Sequence, residues 1–205
     1  MKYLAFLFLI ITIFGCAKEE VPFYGDSTVN GFRPFTTNEK AIIYSGGSSD
    51  IMPLYTIFDY DDSLVLRKQC IDVKPDSLDA DLLYLISRMY ATVNDPANPG
   101  VGLAAPQVGI NRNIIWVMRD DLAGDPFQVC INPKITDVTQ TMTGSNEGCL
   151  SIPGESHVIQ RYRAIVVEFY DLSGNLHREV IEGYTAKIFQ HEIDHLNAIL
   201  YIDHM

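Results

Sequence analysis

Two histidines four residues apart, His191 and His195, enclose Glu192 in a His-Glu-x-x-His pattern, with ten residues left after them. Phe189, Ile193 and Leu196 make the other face of the same segment apolar. A helix here therefore has to be buried, and it carries two imidazoles and a carboxylate inward with it. Buried His and Glu side chains need partners. Residues i and i+4 share one helix face, so both imidazoles reach a single metal ion, and Glu192 stands where it can take a proton from water. A hydrolytic site of this kind needs a third protein ligand and one open position.

The extended protease form of the pattern would place Gly at position 198 and His at 201, where Ala198 and Tyr201 stand. The third ligand is therefore expected from upstream, or from Asp203 or His204 near the C-terminus. Cys149, within Glu147-Gly148-Cys149-Leu150-Ser151, is the strongest upstream candidate. Gly148 lets the backbone come close, and a thiolate binds a divalent cation. His157 and His177 are alternatives in strand-like sequence. A third stretch, Gly100-Val101-Gly102-Leu103-Ala104-Ala105-Pro106-Gln107, fits the loose glycine pattern of a dinucleotide loop. No strand precedes it, and Pro106 interrupts the helix that would have to follow, so a nucleotide reading fails.

Composition sets the frame. A chain of 205 residues, 47% hydrophobic and 20% charged, suits one compact domain with an appendage. Fifteen Lys and Arg against 26 Asp and Glu give a formal net charge of −11. That balance argues against a nucleic-acid partner, whose binding needs clustered cations. Four Cys do not make a disulfide scaffold in a chain this long. Cys130 lies in an apolar strand and reads as core, while pairing of Cys70 with it is left open. Helical spacing of Leu78, Leu82, Leu85, Ile86 and Met89, capped by Ser77, predicts a first helix. Strands are expected over 113–118, 128–135, 158–170 and 176–181, with a hairpin turn at 171–175. A last helix is expected over 183–196. Helix, strands, then helix is an α+β pattern.

Taken together, GVGLAAPQ (100–107), EGCLS (147–151) and QHEIDHL (190–196), each about forty residues from the next, resemble the three signature motifs of peptide deformylases. The similarity runs from about residue 64 to the C-terminus. It implies antiparallel β-sheets packed around a central helix carrying the His-Glu-x-x-His residues. It also implies hydrolysis of the formyl group from N-formylmethionyl peptides. By the same resemblance Cys149, His191 and His195 bind one divalent metal ion, Fe²⁺ in the cell, with Zn²⁺, Ni²⁺ or Co²⁺ also accepted. Glu192 moves the proton, and the Gln107 side chain and the Leu150 backbone N–H stabilise the oxyanion. Gly102 and Gly148 would offer backbone groups to an extended peptide, and Val101, Tyr184 and Ile188 are candidates for the methionine pocket. Two positions invite comparison: Pro153-Gly154-Glu155-Ser156-His157 stands where many deformylases carry an Arg, and Arg161 matches a second basic position. A monomer is expected. Two other readings stay open on the residues alone: a surface lipoprotein reusing the fold to bind peptides, and another metallo-amidohydrolase or peptidase.

The N-terminus reads as an address. Lys2 precedes an apolar run over 3–14, too short to span a bilayer comfortably, and Ile13-Phe14-Gly15-Cys16 resembles a bacterial lipobox. The resemblance implies cleavage before Cys16, its lipidation, and membrane anchoring on the periplasmic face or cell surface. Ala17-Lys18-Glu19-Glu20 resembles a surface-export tetrad. The expected organisation is thus a signal peptide over 1–15, a lipidated Cys and tether over 16–54, and a metal-dependent domain over 55–205.

Overall fold

A computed structural model describes residues 31–205 of the chain; the leader, Cys16 and the first part of the tether lie outside the described residues. The elements in order are α1 (Thr37–Ile43), α2 (Tyr60–Leu66), α3 (Ala80–Val93), β1 (Gly102–Ala104), β2 (Ile114–Met118), β3 (Phe127–Val138), β4 (Met142–Cys149), β5 (Ile152–Tyr162), β6 (Ala164–Tyr170), β7 (Leu176–Glu182) and α4 (Gly183–Leu196). Short 3₁₀ turns cover Ala105–Val108 and Tyr201–His204. Five strands form an antiparallel sheet in the order β1-β2-β3-β6-β7, and β4 and β5 form a separate two-stranded sheet. The architecture is α+β, with antiparallel sheets around α4.

β2 explains how the layers meet. Its residues Ile114 and Trp116 join the apolar cluster built on Leu82, Leu85 and Met89 of α3. Ile115 and Val117 point the other way, into the cluster with Ile188, Phe189, Ile193 and Leu196 of α4. Because successive side chains alternate faces, a strand covered on both sides reads as an unbroken apolar run, and Ile114-Ile115-Trp116-Val117-Met118 does. Cys130 and Cys70 are both buried in the α4 cluster, and both are free.

Four local expectations need correction. Asp79, not Ser77, caps α3, its carboxylate accepting from Leu82 N at 3.0 Å, and Leu78 lies outside the helix at 89% exposure. The single strand expected over 158–170 is broken at Arg163 into β5 and β6, which belong to different sheets. β4 was not expected, because its sequence, MTGSNEGC, has no apolar alternation, and none of its residues is fully buried.

The fourth correction concerns the tether. Its 35–54 portion belongs to the folded body: Phe35, Ile43 and Met52 are buried in the α3 cluster. Thr36 caps α1 and accepts from Glu39 N, while the Glu39 carboxylate accepts from Thr36 N, a reciprocal capping box. Two buried arginines hold this segment. Arg112 donates to Glu39 at 2.6 and 2.8 Å and to the carbonyls of Arg33 and Pro34, with its guanidinium over the Phe35 ring. Arg88 donates to the carbonyls of Ile42, Ile43, Asp50 and Ile51 and to Ser45 Oγ. A guanidinium satisfied by main-chain carbonyls needs no carboxylate signal in the sequence, so pattern reading passed over it.

Candidate metal centre

α4 delivers His191, Glu192 and His195 from one buried face, and the 3.6-residue repeat that buries Phe189, Ile193 and Leu196 is what aims them. Cys149 arrives from the end of β4. There the ladder with β5 shifts register, Gly148 opposing Ser156 while Cys149 opposes Ile152, and such an irregularity re-aims a side chain. Cys149 Sγ lies 3.2 Å from His195 Nε2. Ligand atoms of Cys149, His191 and His195 all lie within 4.8 Å of one another, the only such group among the described residues. A tetrahedral site with bonds of about 2.0–2.3 Å has edges of roughly 3.3–3.6 Å; the Cys149–His195 separation is close to that, and the 4.8 Å limit of the whole cluster lies about 1 Å beyond it.

The environment also fits a cation. Glu192 Oε2 and His195 Nδ1 are buried and have no hydrogen-bond partner among the described residues. A thiol, two imidazoles and a buried carboxyl with unanswered polar atoms make a donor set for a divalent ion and a group bound beside it. Burial holds His195 well below its ordinary pKa, so it is neutral and able to ligate. Burial also pulls down on His191, but Cys149 and Glu147 outweigh it and hold the imidazole up at about 10, a proton that a cation would displace. Burial pushes the Glu192 carboxyl up to about 7, with His191 opposing and Glu147 adding to the rise.

A chain of charges stands behind His191. Its Nδ1 lies 3.0 Å from Glu147 Oε2, which leaves Nε2 for the ligand cluster. Arg161 grips both oxygens of Glu147 at 2.9 and 3.0 Å and also bonds Asp194. His204 Nε2 lies 2.7 Å from Asp194 Oδ2. Burial would raise the Glu147 carboxyl, yet His191 and Arg161 hold it down at about 2. The Tyr201 ring lies against His191 at a centroid separation of 6.1 Å. Arg161, which matches a basic position of the family, is thus buried and committed to carboxylates. Arg161, His191 and His204 each stood out singly in the sequence, but their connection did not, because the members are scattered over β4, β5, α4 and the last 3₁₀ turn.

Gln107 sits in the 3₁₀ turn after β1. Its Oε1 accepts from Ala104 N at 2.8 Å, which fixes the amide and turns Nε2 toward Cys149 Sγ at 3.5 Å and Ser151 Oγ at 3.4 Å. Gly102 is required by close approach: a Cβ there would lie 2.8 Å from Glu192 Cδ and 2.9 Å from its Cγ. A cleft of about 420 Å³ opens over the cluster. Val101 and Gly102 line one side, Gly148 and Leu150 another, and Tyr184 and Ile188 the α4 side. Ile188 is buried, whereas Tyr184 is half-exposed. β1 is an edge strand of its sheet, paired with β2 alone. His157 lies beside Glu155, His177 pairs with Asp171, Asp203 with Arg67 and His204 with Asp194, and none of them joins the ligand group.

The polypeptide deformylase family model matches residues 54–205. A peptide deformylase of Rhizorhabdus wittichii is 37% identical over 145 residues, 68% of this chain and 81% of its own. The Met-Ala-Ser-bound crystal structure of class I type b peptide deformylase from Acinetobacter baumannii aligns with a TM-score of 0.67 at 32% identity, over 77% of this chain and 99% of that one. The peptide deformylase structure from Thermotoga maritima aligns with a TM-score of 0.66 at 35% identity, over 76% and 97%.

Proposed function

Since the chain belongs to the polypeptide deformylase family and is a metal-dependent enzyme that removes the formyl group from N-formyl peptides, we propose which residues carry the reaction, which ion serves it and where in the cell it takes place. Cys149, His191 and His195 hold one divalent cation, which when bound supplies Lewis acidity to the formyl carbonyl and to water. Fe²⁺ is the proposed ion in the cell, and a Cys-His₂ donor set also accepts Zn²⁺, Ni²⁺ or Co²⁺. Glu192 takes a proton from the attacking water as its oxygen bonds to the formyl carbon. It then delivers that proton to the amine nitrogen as the C–N bond breaks, releasing formate and a free amino terminus. A carboxyl held near 7 by burial suits both transfers. The Gln107 side-chain N–H and the Leu150 backbone N–H donate to the oxyanion, and the Ala104 contact keeps Gln107 aimed. The peptide extends along the β1 edge at Gly102, with Gly148 opposite and its methionine side chain among Val101, Tyr184 and Ile188.

The observation that carries this reading is the clustering of Cys149, His191 and the buried His195 at a cleft that Cys149, His191, Glu192 and Gln107 line. No ligand and no proton-transfer group is missing, which speaks against a binding-only role. Formate release from a formyl-Met peptide, but not from its acetyl counterpart, and its loss in Glu192→Ala, would bear the proposal out. Equal turnover of acetyl and formyl peptides would contradict it. The place of action is proposed from the leader: Lys2, the apolar run over 3–14 and Gly15-Cys16 support an exported protein anchored through lipid on Cys16. No helix among the described residues is long and apolar enough to cross a membrane. A mature chain that starts at an acylated Cys16 by mass, and a soluble product from Cys16→Ser, are the expected results.

A further inference from the structure

Lys187 is the only Lys or Arg among the described residues that border the cleft. It is half-buried on α4, between Tyr184 and His191 on the same helical face. The chain has 26 Asp and Glu for 15 Lys and Arg, so carboxylates are plentiful as partners for its cations. The buried arginines Arg161, Arg119 and Arg112 each pair with one or more of them. Lys187 pairs with none among the described residues. Of the three carboxyls that share the cleft with it, Glu147 is held by Arg161 and His191 and Glu192 lies buried against Gly102, while Glu155 stands on β5, 3.7 Å from His157, and makes no ion pair with Lys187. Beside the apolar Val101 and Ile188, the wall also carries Ser145 and Asn146.

The distance to the reacting end is short. Lys187 precedes His191 by four residues, about 6 Å along the helix axis. An extended peptide covers that length in two residues, at about 3.3 Å each. We propose that Lys187 is a specificity-determining residue, its ammonium selecting formyl peptides that carry a carboxylate within the first two residues. The carboxylate comes either from an Asp or Glu side chain or from the free C-terminus of a very short peptide. This deepens the deformylase reading and rests on it. The charge works through substrate binding, so it appears mainly in KM.

The test uses the metal-loaded full chain and four peptides: formyl-Met-Ala amide, formyl-Met-Asp amide, formyl-Met-Lys amide and formyl-Met-Ala with a free carboxylate. An ion pair at a half-exposed site is worth roughly a twofold to fivefold gain in kcat/KM. The acidic peptides are expected to exceed neutral formyl-Met-Ala amide by that factor, and the Lys peptide to fall below it. Raising salt should shrink the spread. Ratios within each variant are the readout: Lys187→Met should flatten them and Lys187→Glu should invert them. A gain confined to the Asp amide assigns the partner to a side chain, and one confined to the free acid assigns it to the C-terminus. The same ordering in wild type, Lys187→Met and Lys187→Glu, or no preference in wild type, overturns the proposal while leaving deformylation intact. No formate from the neutral amide in wild type overturns the reading beneath it as well.

Discussion

Replacing Arg161 by Met tests how far the metal ligands depend on the charges behind them. The Arg161 side chain is 4% exposed, and its partners Glu147 and Asp194 are 9% and 17% exposed. Methionine keeps much of the stem's volume, so the variant removes chiefly the guanidinium. Two carboxylates then remain in a site that water hardly reaches, and breaking a buried pair from one side costs about 3–5 kcal/mol. In a chain of this size 1 kcal/mol moves the midpoint by roughly 2–4 °C, so a fall of about 6–20 °C is expected. The second effect is on the ion. Arg161 fixes Glu147, and Glu147 fixes the His191 ring; loss of such a support weakens metal binding by about 10- to 100-fold. Urea unfolding of the metal-free and metal-loaded proteins gives the first quantity, and competition with a chelator gives the second. The Glu147→Gln, Arg161→Met double variant should be less destabilised than the two single effects summed, since one of the two carboxylates left behind is also gone. An Arg161→Met protein within about 0.5 kcal/mol of wild type, with metal affinity within about twofold, would refute the reasoning.

Three further outcomes are expected from contacts elsewhere in the fold. Gly102→Ala places a Cβ within 2.9 Å of Glu192 Cγ, and a buried Glu192 cannot step aside, so kcat/KM should fall by about 100-fold with metal content unchanged; near-normal activity would show that Glu192 is free to move. Gln107→Leu removes the amide donor from the cleft and should lower kcat by about 100- to 1,000-fold with a smaller change in KM, as measured by formate release. Glu39 is drawn down below its ordinary 4.5: burial pushes it up, but Arg112 and the Thr36 contacts prevail. A depressed carboxylate stabilises the fold fully above 4.5, and this is lost as pH falls through its lower folded value. Glu39→Gln should therefore show a shallower loss of stability than wild type as pH drops below 4.5, which a series of urea melts at stepped pH would detect.

The legibility of the molecule followed the range of each signal. α4 was readable to the residue because His191 and His195 share a face and Phe189, Ile193 and Leu196 hold the opposite one. β2 and β7 were readable because apolar runs and a hairpin turn are local. α1 and α2 were not, since seven residues are too few for a helical period to emerge. The signal that would have found α1 is Thr36 followed three residues later by Glu39. β4 escaped because its alternation is of exposure among polar side chains, so nothing apolar marks it. At the site, Cys149, Glu192 and Gln107 stood in motifs. Arg88, Arg112 and the line from His204 through Asp194 and Arg161 to Glu147 depend on side chains brought together from separate elements, and no spacing rule reaches across them.

The central claim is that one ion on Cys149, His191 and His195 drives deformylation by this chain. Metal-free protein titrated anaerobically with Fe²⁺, or with Ni²⁺ as a sturdier substitute, while formate release from a formyl-Met peptide is followed, tests it most directly. Activity should rise in proportion to added metal and break at one ion per chain, and Cys149→Ser should lose both the break and the sulfur-to-metal absorption of a Co²⁺-loaded sample. Formate release that needs no metal, or a Cys149→Ser protein that titrates like wild type, would contradict the account.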